Sequence, residues 1–269
     1  MSRTTERKKL VHQPVQLVLC QVRWSPIQTI SKYIPAIQEV FRRNGFPIER
    51  SGEISQIFLS PKGTEIKSQP RWEYRSKDER WIIQVTTDSV VLQTTDYDRF
   101  AGYADRLRLA VDTVFTATEH KEFGVLERIG LRYVDHIRPR EGETFRDYVR
   151  PGFHGIQEEG VFLPGSGRLH SEMVGSTTVG SETGTLIIRL TQNKDGVGLP
   201  PDLEGTAPIR SSTVPKGELL TIVDTDHFLE GKFPCDADWV VQQANLLHTQ
   251  INDAFFNHAI TEHAEKVWA

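Results

Sequence analysis

The feature that most constrains the fold is an alternating stretch near the middle of the chain, residues 125–137. Successive side chains of a β-strand point to opposite faces of the sheet, so this alternation predicts a half-buried strand. One face carries Ile129, Leu131, Tyr133 and Ile137. The other face carries Arg128, Gly130, Arg132, His136 and Arg138. We expect the first face to lie in the core and the second to form a row of cations on an open sheet.

Periodicity and turn signals around this strand predict an α+β protein. Further strands are expected at 12–24, 53–60, 71–76, 80–86, 90–94, 168–179, 183–191 and 218–224. Helices are expected at 27–43, 144–150, from a cap at Asp96 or Asp98 to about 118, and from a cap at Asp236 or Asp238 to about 268. Pro35 is expected near the true start of the first helix, because proline is tolerated only in a first turn.

The predicted elements occur in the same order twice, which indicates an internal duplication. We expect a disordered tail at 1–11, a first half at 12–120 and a second half at 121–269, packed as one unit. Each half reads strand, helix, antiparallel strands, long helix. Joined edge to edge, the two halves form one sheet with its helices on one face, as in TATA-binding-protein-like or helix-grip folds. This analogy concerns architecture alone.

Composition narrows the classes of function. The formal net charge of −4 argues against bulk nucleic-acid binding, although a local basic patch remains compatible with it. No apolar run approaches the roughly 20 residues of a membrane span. Cys20 and Cys235 fit neither a disulfide framework nor a zinc site, which favours a reducing compartment and therefore the cytoplasm. We find no pattern for a catalytic constellation, a cofactor or a metal.

The residues most suited to binding come from the central strand and from two other strands. They are Arg23, Arg128, Arg132, Tyr133, Asp135, Asp224 and Asp226. The arginines either receive an anionic ligand or form ion pairs with acids of neighbouring strands, such as Glu172 or Asp224. Asp224 and Asp226, expected at the end of a strand, either form a turn and pair with arginines or bind a cation.

Three phrases together resemble a known family: the strand Arg128-Ile129-Gly130-Leu131-Arg132-Tyr133-Val134, then Asp224-Thr225-Asp226, then Leu247-His248 with Phe256 and Ile260-Thr261. The chain is similar to a family of sporadically distributed, uncharacterised bacterial proteins of about this length. The resemblance implies one full-length unit and supplies no catalytic residues. The family commonly has Asn where this chain has Asp135. Its patchy occurrence implies an accessory role, such as defence or toxin control.

These observations favour a non-catalytic cytoplasmic protein that engages a protein partner through the open sheet face and the long Gly- and Pro-rich loop 193–216. One alternative is a binder of nucleic acid or another anionic ligand on the arginine row. Another is an enzyme or small-molecule sensor with a pocket between the sheet and the final helix. Homodimerisation through exposed strand edges is also left open, and no membrane association is expected.

Overall fold

The chain is an α+β protein, described here from a computed structural model. The structure describes residues 10–60, 63–155, 169–194, 196, 198–203 and 217–269, with the backbone alone for 54–60, 63–67 and 201. The strands are β1 Val15–Trp24, β2 Ile48–Ser60, β3 Gly63–Arg75, β4 Trp81–Val85, β5 Ser89–Thr94, β6 Leu126–Ile137, β7 His170–Val179, β8 Glu182–Asn193 and β9 Leu220–Phe233. The α-helices are α1 Ile34–Arg43, α2 Phe100–Ala117, α3 His120–Phe123, α4 Phe145–Tyr148, α5 Ala237–Asp253 and α6 Glu262–Trp268.

The nine strands of the described residues form one antiparallel sheet in the order β2-β3-β4-β5-β1-β6-β9-β8-β7. The two strands that the sequence places first in each half, β1 and β6, pair at the centre. From β1 the chain goes out to the β2 edge and returns through β3 and β4 to β5, beside β1. From β6 it goes out to the β7 edge and returns through β8 to β9, beside β6.

The helices pack on one face of this sheet. Helices α1, α2 and α5 share a hydrophobic cluster with residues of β6 such as Leu131 and Tyr133. A second cluster on the same face joins Ile137 to α4, α6 and a π-helical turn, Ala254–Ala259. Leu10, inside the predicted tail, packs against this second cluster; residues 1–9 lie outside the described residues.

The face of the sheet away from the helices is covered at its centre by a short loop segment. A single 3₁₀ turn, Pro201–Leu203, follows Leu199, and both leucines pack on residues that β1, β6 and β9 turn away from the helices. These residues are Leu17, Val134, Leu220 and Ile222. Residues 198–203, which we call the strap, therefore bury part of the face that the sequence analysis left open.

Several boundaries follow the predicted signals. Pro35 lies in the first turn of α1, and the turn of the β7–β8 hairpin falls where it was expected. Asp236 caps α5, because its Oδ1 accepts a hydrogen bond of 2.7 Å from the Trp239 N–H. The predicted cap of α2 is wrong: the helix follows Arg99 without a side-chain cap, and Asp96 forms an ion pair with Arg80.

Several elements differ in length from their predictions. Strands β2 and β3 are longer than predicted, and α1 begins only at Ile34. Two more differences lie in the second half. The strand predicted to end at Asp224 continues to Phe233, because Thr225, His227 and Leu229 extend the alternation of buried positions. The final helix is not continuous to 268. After α5 come the π-helical turn and the extended residue Ile260, and Thr261 then caps α6 by accepting from the Ala264 N–H.

Candidate functional site

The predicted binding residues lie on two opposite faces of the sheet. Arg23 lies directly opposite Arg128, Arg132 opposite Asp226, and Asp224 opposite Val134. Directly opposed residues share a face, so five of the seven meet on the face away from the helices. Tyr133 and Asp135 point to the helix face, because they occupy the alternate positions of β6. The structure therefore divides the predicted site into two separate groups.

The prediction of an open row of cations is wrong for Arg132. Arg132 is only 7% exposed, and β6 is buried on both faces from Ile129 to Ile137. The reason lies on the neighbouring strand, since β9 brings Asp224 and Asp226 beside the arginines. A charge pattern read along one strand does not show the charges of the strands that pair with it.

Arg132 is bound by two carboxylates from different parts of the chain. Its Nε and Nη2 donate to Asp224 Oδ1 and Oδ2 at 2.6 and 2.8 Å. Its Nη1 and Nη2 donate to Asp202 of the strap at 2.5 and 3.1 Å. Burial alone lowers the pKa of Arg132, but hydrogen bonds and charge from Asp224 and Asp202 outweigh it and raise the pKa. The guanidinium thus ties the strap to the sheet.

The same network extends toward the edge of the sheet. Arg189 of β8 lies opposite Asp224 and donates to its Oδ2 at 3.3 Å, while its Nε donates to Glu172 of β7 at 2.5 Å. Alternating positive and negative side chains therefore cross the sheet from β6 to β7. Each charge has a partner of opposite sign, so this row offers little net charge to an anionic ligand.

Arg128 is held more loosely than Arg132. Its side chain is 15% exposed, its Nη1 donates to Gln21 Oε1 at 3.0 Å, and Asp226 and Glu230 lie at 3.6 and 3.7 Å. Gly130 provides the space for the guanidinium, because a Cβ there would lie 2.7 Å from Arg128 Nη1. Arg23 is half-buried opposite Arg128, and among the described residues no carboxylate forms an ion pair with it.

Tyr133 belongs to a hydrogen-bonded chain under the helices. Its hydroxyl donates to Tyr97 Oη at 3.0 Å and lies 2.8 Å from His248 Nδ1, while Asn252 Nδ2 donates to His248 Nε2 at 3.0 Å. The directions agree if His248 carries its proton on Nδ1, so that each group donates to the next from Asn252 to Tyr97. Burial lowers the pKa of His248 to about 4, which keeps the ring neutral at physiological pH.

Asp135 lies on the same face, between Tyr133 of the first cluster and Ile137 of the second. It is 5% exposed, and no donor among the described residues forms a hydrogen bond with its carboxyl group. Burial, and secondarily the charge of Asp224, raises the pKa of Asp135 to about 8. A carboxyl group in this position is mostly protonated near neutral pH.

The free edge of β7 is a feature that the sequence analysis did not single out. Met173 and Val174 are 58% and 57% exposed, and they point to opposite faces of the sheet. No strand of the described residues pairs with the outer side of β7. Half of residues 170–179 are Ser, Thr or Gly, and this composition was the available signal of a strand with two exposed faces.

Comparison with known proteins adds no assignment: no protein-family model matches the chain, and no curated protein matches it. In the described part of the chain, His, Cys, Asp and Glu side chains nowhere gather in threes in a way that could hold a metal ion. None of the described helices is long and apolar enough to cross a membrane.

Proposed function

We propose that this protein is a non-catalytic binding protein that adds an extended segment of a protein partner to the free edge of β7. The proposal is based on the free edge of β7, which is ten residues long, is exposed over most of its length and carries the exposed side chains of Met173 and Val174. A strand edge presents unpaired N–H and C=O groups, and strand addition is a common way of recognising peptides.

The backbone geometry supports this use of the edge. A two-residue turn, Gly180–Ser181, joins β7 to β8, and Gly180 has the positive φ of +62° that such hairpin turns require. Antiparallel partners alternate between hydrogen-bonded and non-bonded pairs. The Gln192 N–H donates to the Leu169 carbonyl, so odd-numbered residues here bond to β8. The backbone groups of His170, Glu172, Val174, Ser176 and Thr178 therefore point outward.

One hydrogen bond agrees with the outward direction of the even-numbered backbone groups. The Thr178 carbonyl accepts a hydrogen bond of 2.5 Å from Gln250 Nε2 of α5 rather than from β8. The helix thus closes the turn end of the edge and leaves residues 170–176 for a partner. Proteins commonly block free edges with proline, lysine or a β-bulge. Strand β7 contains neither residue, and its pairing with β8 shows no register shift.

The alternative of an anionic ligand, bound on the sheet face that carries Arg128 and Arg132, has less support than the β7 edge. Arg132 and Arg189 are engaged by carboxylates, and the strap covers the neighbouring apolar residues. The enzyme or sensor alternative is weakened too, because Leu247 and Ile251 of α5 pack with Leu131 and Tyr133 where that pocket was expected. Loop residues 204–216, part of the predicted partner surface, lie outside the described residues.

The experiment is capture from lysate of the native host with tagged protein and two matched variants. Val174→Lys places a charge on the edge, whereas Val40→Lys places the same charge on α1, where Val40 is also exposed. We expect a partner that is retained by the wild type and by Val40→Lys and lost with Val174→Lys. Equal capture by all three proteins would contradict the proposal, as would capture of nothing.

Action in the cytoplasm, an internal duplication and an accessory bacterial role are further parts of the proposed function. Two free, buried cysteines, Cys20 and Cys235, support action in the cytoplasm. The outward path and return of the chain on each side of the β1–β6 pair supports an internal duplication. The family resemblance supports an accessory role in bacterial defence or toxin control, which a survey of neighbouring genes would test.

A further inference from the structure

We infer that the partner strand is β7 of a second copy of this chain, paired antiparallel about a two-fold axis at Val174. This inference rests on the proposed function, because it names the occupant of the same edge. The two nine-stranded sheets would then join into one continuous sheet, with the helices of both copies on one side.

The register follows from the outward-pointing backbone groups. Antiparallel strands exchange two hydrogen bonds at each bonded pair, and the outward groups belong to even-numbered residues. A two-fold axis at Val174 pairs Val174 with its copy and Glu172 with Ser176 of the second chain. It places Thr178, whose carbonyl is occupied by Gln250, opposite His170 at the end of the ladder. The three central pairs therefore form without breaking any hydrogen bond among the described residues.

The side chains complement one another in this register. On the helix face, Met173 falls opposite Gly175 of the second chain. A Cβ at Gly175 would meet nothing within 4 Å, so there is open space over that residue for the long Met173 side chain. On the other face the two Val174 side chains meet at the axis. Both exposed apolar residues of the edge become covered by the copy.

The charges of the edge also permit self-pairing. Glu172 is the only acidic residue of β7, and Arg189 binds it across the sheet at 2.5 Å. In the proposed register Glu172 lies opposite the neutral Ser176, so no like charges are directly opposed, which is the arrangement that destabilises strand pairs.

The test uses two differently tagged full-length copies produced together, with capture on one tag and detection of the other. Sedimentation analysis of the untagged protein over about two decades of concentration measures the association constant. We expect an association that Val174→Lys weakens roughly fivefold to tenfold, because it opposes two like charges at the axis. Val40→Lys is the matched control, and Val174→Thr, which keeps the β-branched shape, retains association.

A second measurement does not depend on a destabilising change. Val174→Cys is expected to cross-link to itself with a short bismaleimide, whereas Val40→Cys is not. The native Cys20 and Cys235 are buried and stay unreactive. A wild type that is monomeric throughout, or a dimer that Val174→Lys leaves intact, overturns the self-pairing. If the tagged copy captures other proteins through Val174 but not its own copy, self-pairing fails while the proposed function stands.

Discussion

Replacing Asp135 by Asn is expected to stabilise the protein in a strongly pH-dependent way. Asp135 is buried between the two hydrophobic clusters of the helix face, and none of the described residues donates a hydrogen bond to its carboxyl group. Its pKa rises from 3.8 to about 8 in the folded state. The folded protein therefore binds the proton more tightly than the unfolded chain, and ionisation of Asp135 opposes folding.

The size of the effect follows from that shift. One pKa unit corresponds to about 1.4 kcal/mol, and pH 7 lies about three units above the ordinary pKa of 3.8. Folding with Asp135 protonated at pH 7 therefore costs roughly 4 kcal/mol. Relaxation and water entry reduce such values, and we expect about 2–4 kcal/mol. The sign is fixed by the direction of the shift. The contribution of protonated Asp135 is complete below its unfolded pKa and is lost progressively as pH rises toward about 8.

Asn has nearly the same shape as a protonated Asp and does not ionise. Asp135→Asn should therefore match the wild type near pH 4, gain stability as the pH rises and level off above about pH 8. The measurement is urea unfolding at a series of pH values, with midpoints and slopes compared between variants. Asp105→Asn on the exposed surface of α2 is the control, since it removes the same charge without touching the core.

A constant difference between wild type and Asp135→Asn across this pH range would refute the reasoning. So would a variant that is less stable than the wild type at pH 8, because that result requires an ionised carboxyl group with a favourable partner.

Two further predictions concern the two faces of β6. Arg132→Met should cost about 3–5 kcal/mol of unfolding free energy, because Asp224 is 2% exposed and, among the described residues, keeps only Arg189 as an ion-pair partner. Arg128→Met should cost less than about 2 kcal/mol. Adding Asp224→Leu to Arg132→Met should recover much of the stability lost in Arg132→Met. An Arg132→Met variant as stable as the wild type would contradict the proposed ion-pair network. Tyr133→Phe should cost about 1–2 kcal/mol, because it breaks the hydrogen bonds to both His248 and Tyr97, whereas Tyr97→Phe breaks one hydrogen bond and should cost less. Equal losses in these two variants, measured by urea unfolding, would contradict the central place of Tyr133 in the chain.

Local patterns in the sequence predicted the helices and strands better than they predicted which residues these elements contact. The alternation of β6 assigned each of its side chains to a face, and Asp236 and Pro35 marked the starts of helices. These features depend on residues close together in the chain. The acidic pair was misplaced, because Asp224-Thr225-Asp226 has the composition of a turn, although it lies within β9.

The burial of the arginine face depends on residues distant in sequence. Asp202 reaches Arg132 from the strap, and Leu199 and Leu203 cover Leu17 and Val134. No periodicity marks these strap residues, which lie in a stretch with the composition of a loop. The burial of Asp135 without a hydrogen-bond donor among the described residues is likewise not marked by its neighbours in the sequence.

The pairing of β1 with β6 has a consequence for synthesis of the chain. Val22 lies opposite Ile129, so β1 acquires its second neighbour only after the whole first half has left the ribosome. Until then β1 is supported by β5 alone, and its outer side is an open template flanked by buried valines. Nascent chains halted before residue 126 should therefore aggregate or recruit chaperones, and release of the next dozen residues should end that exposure.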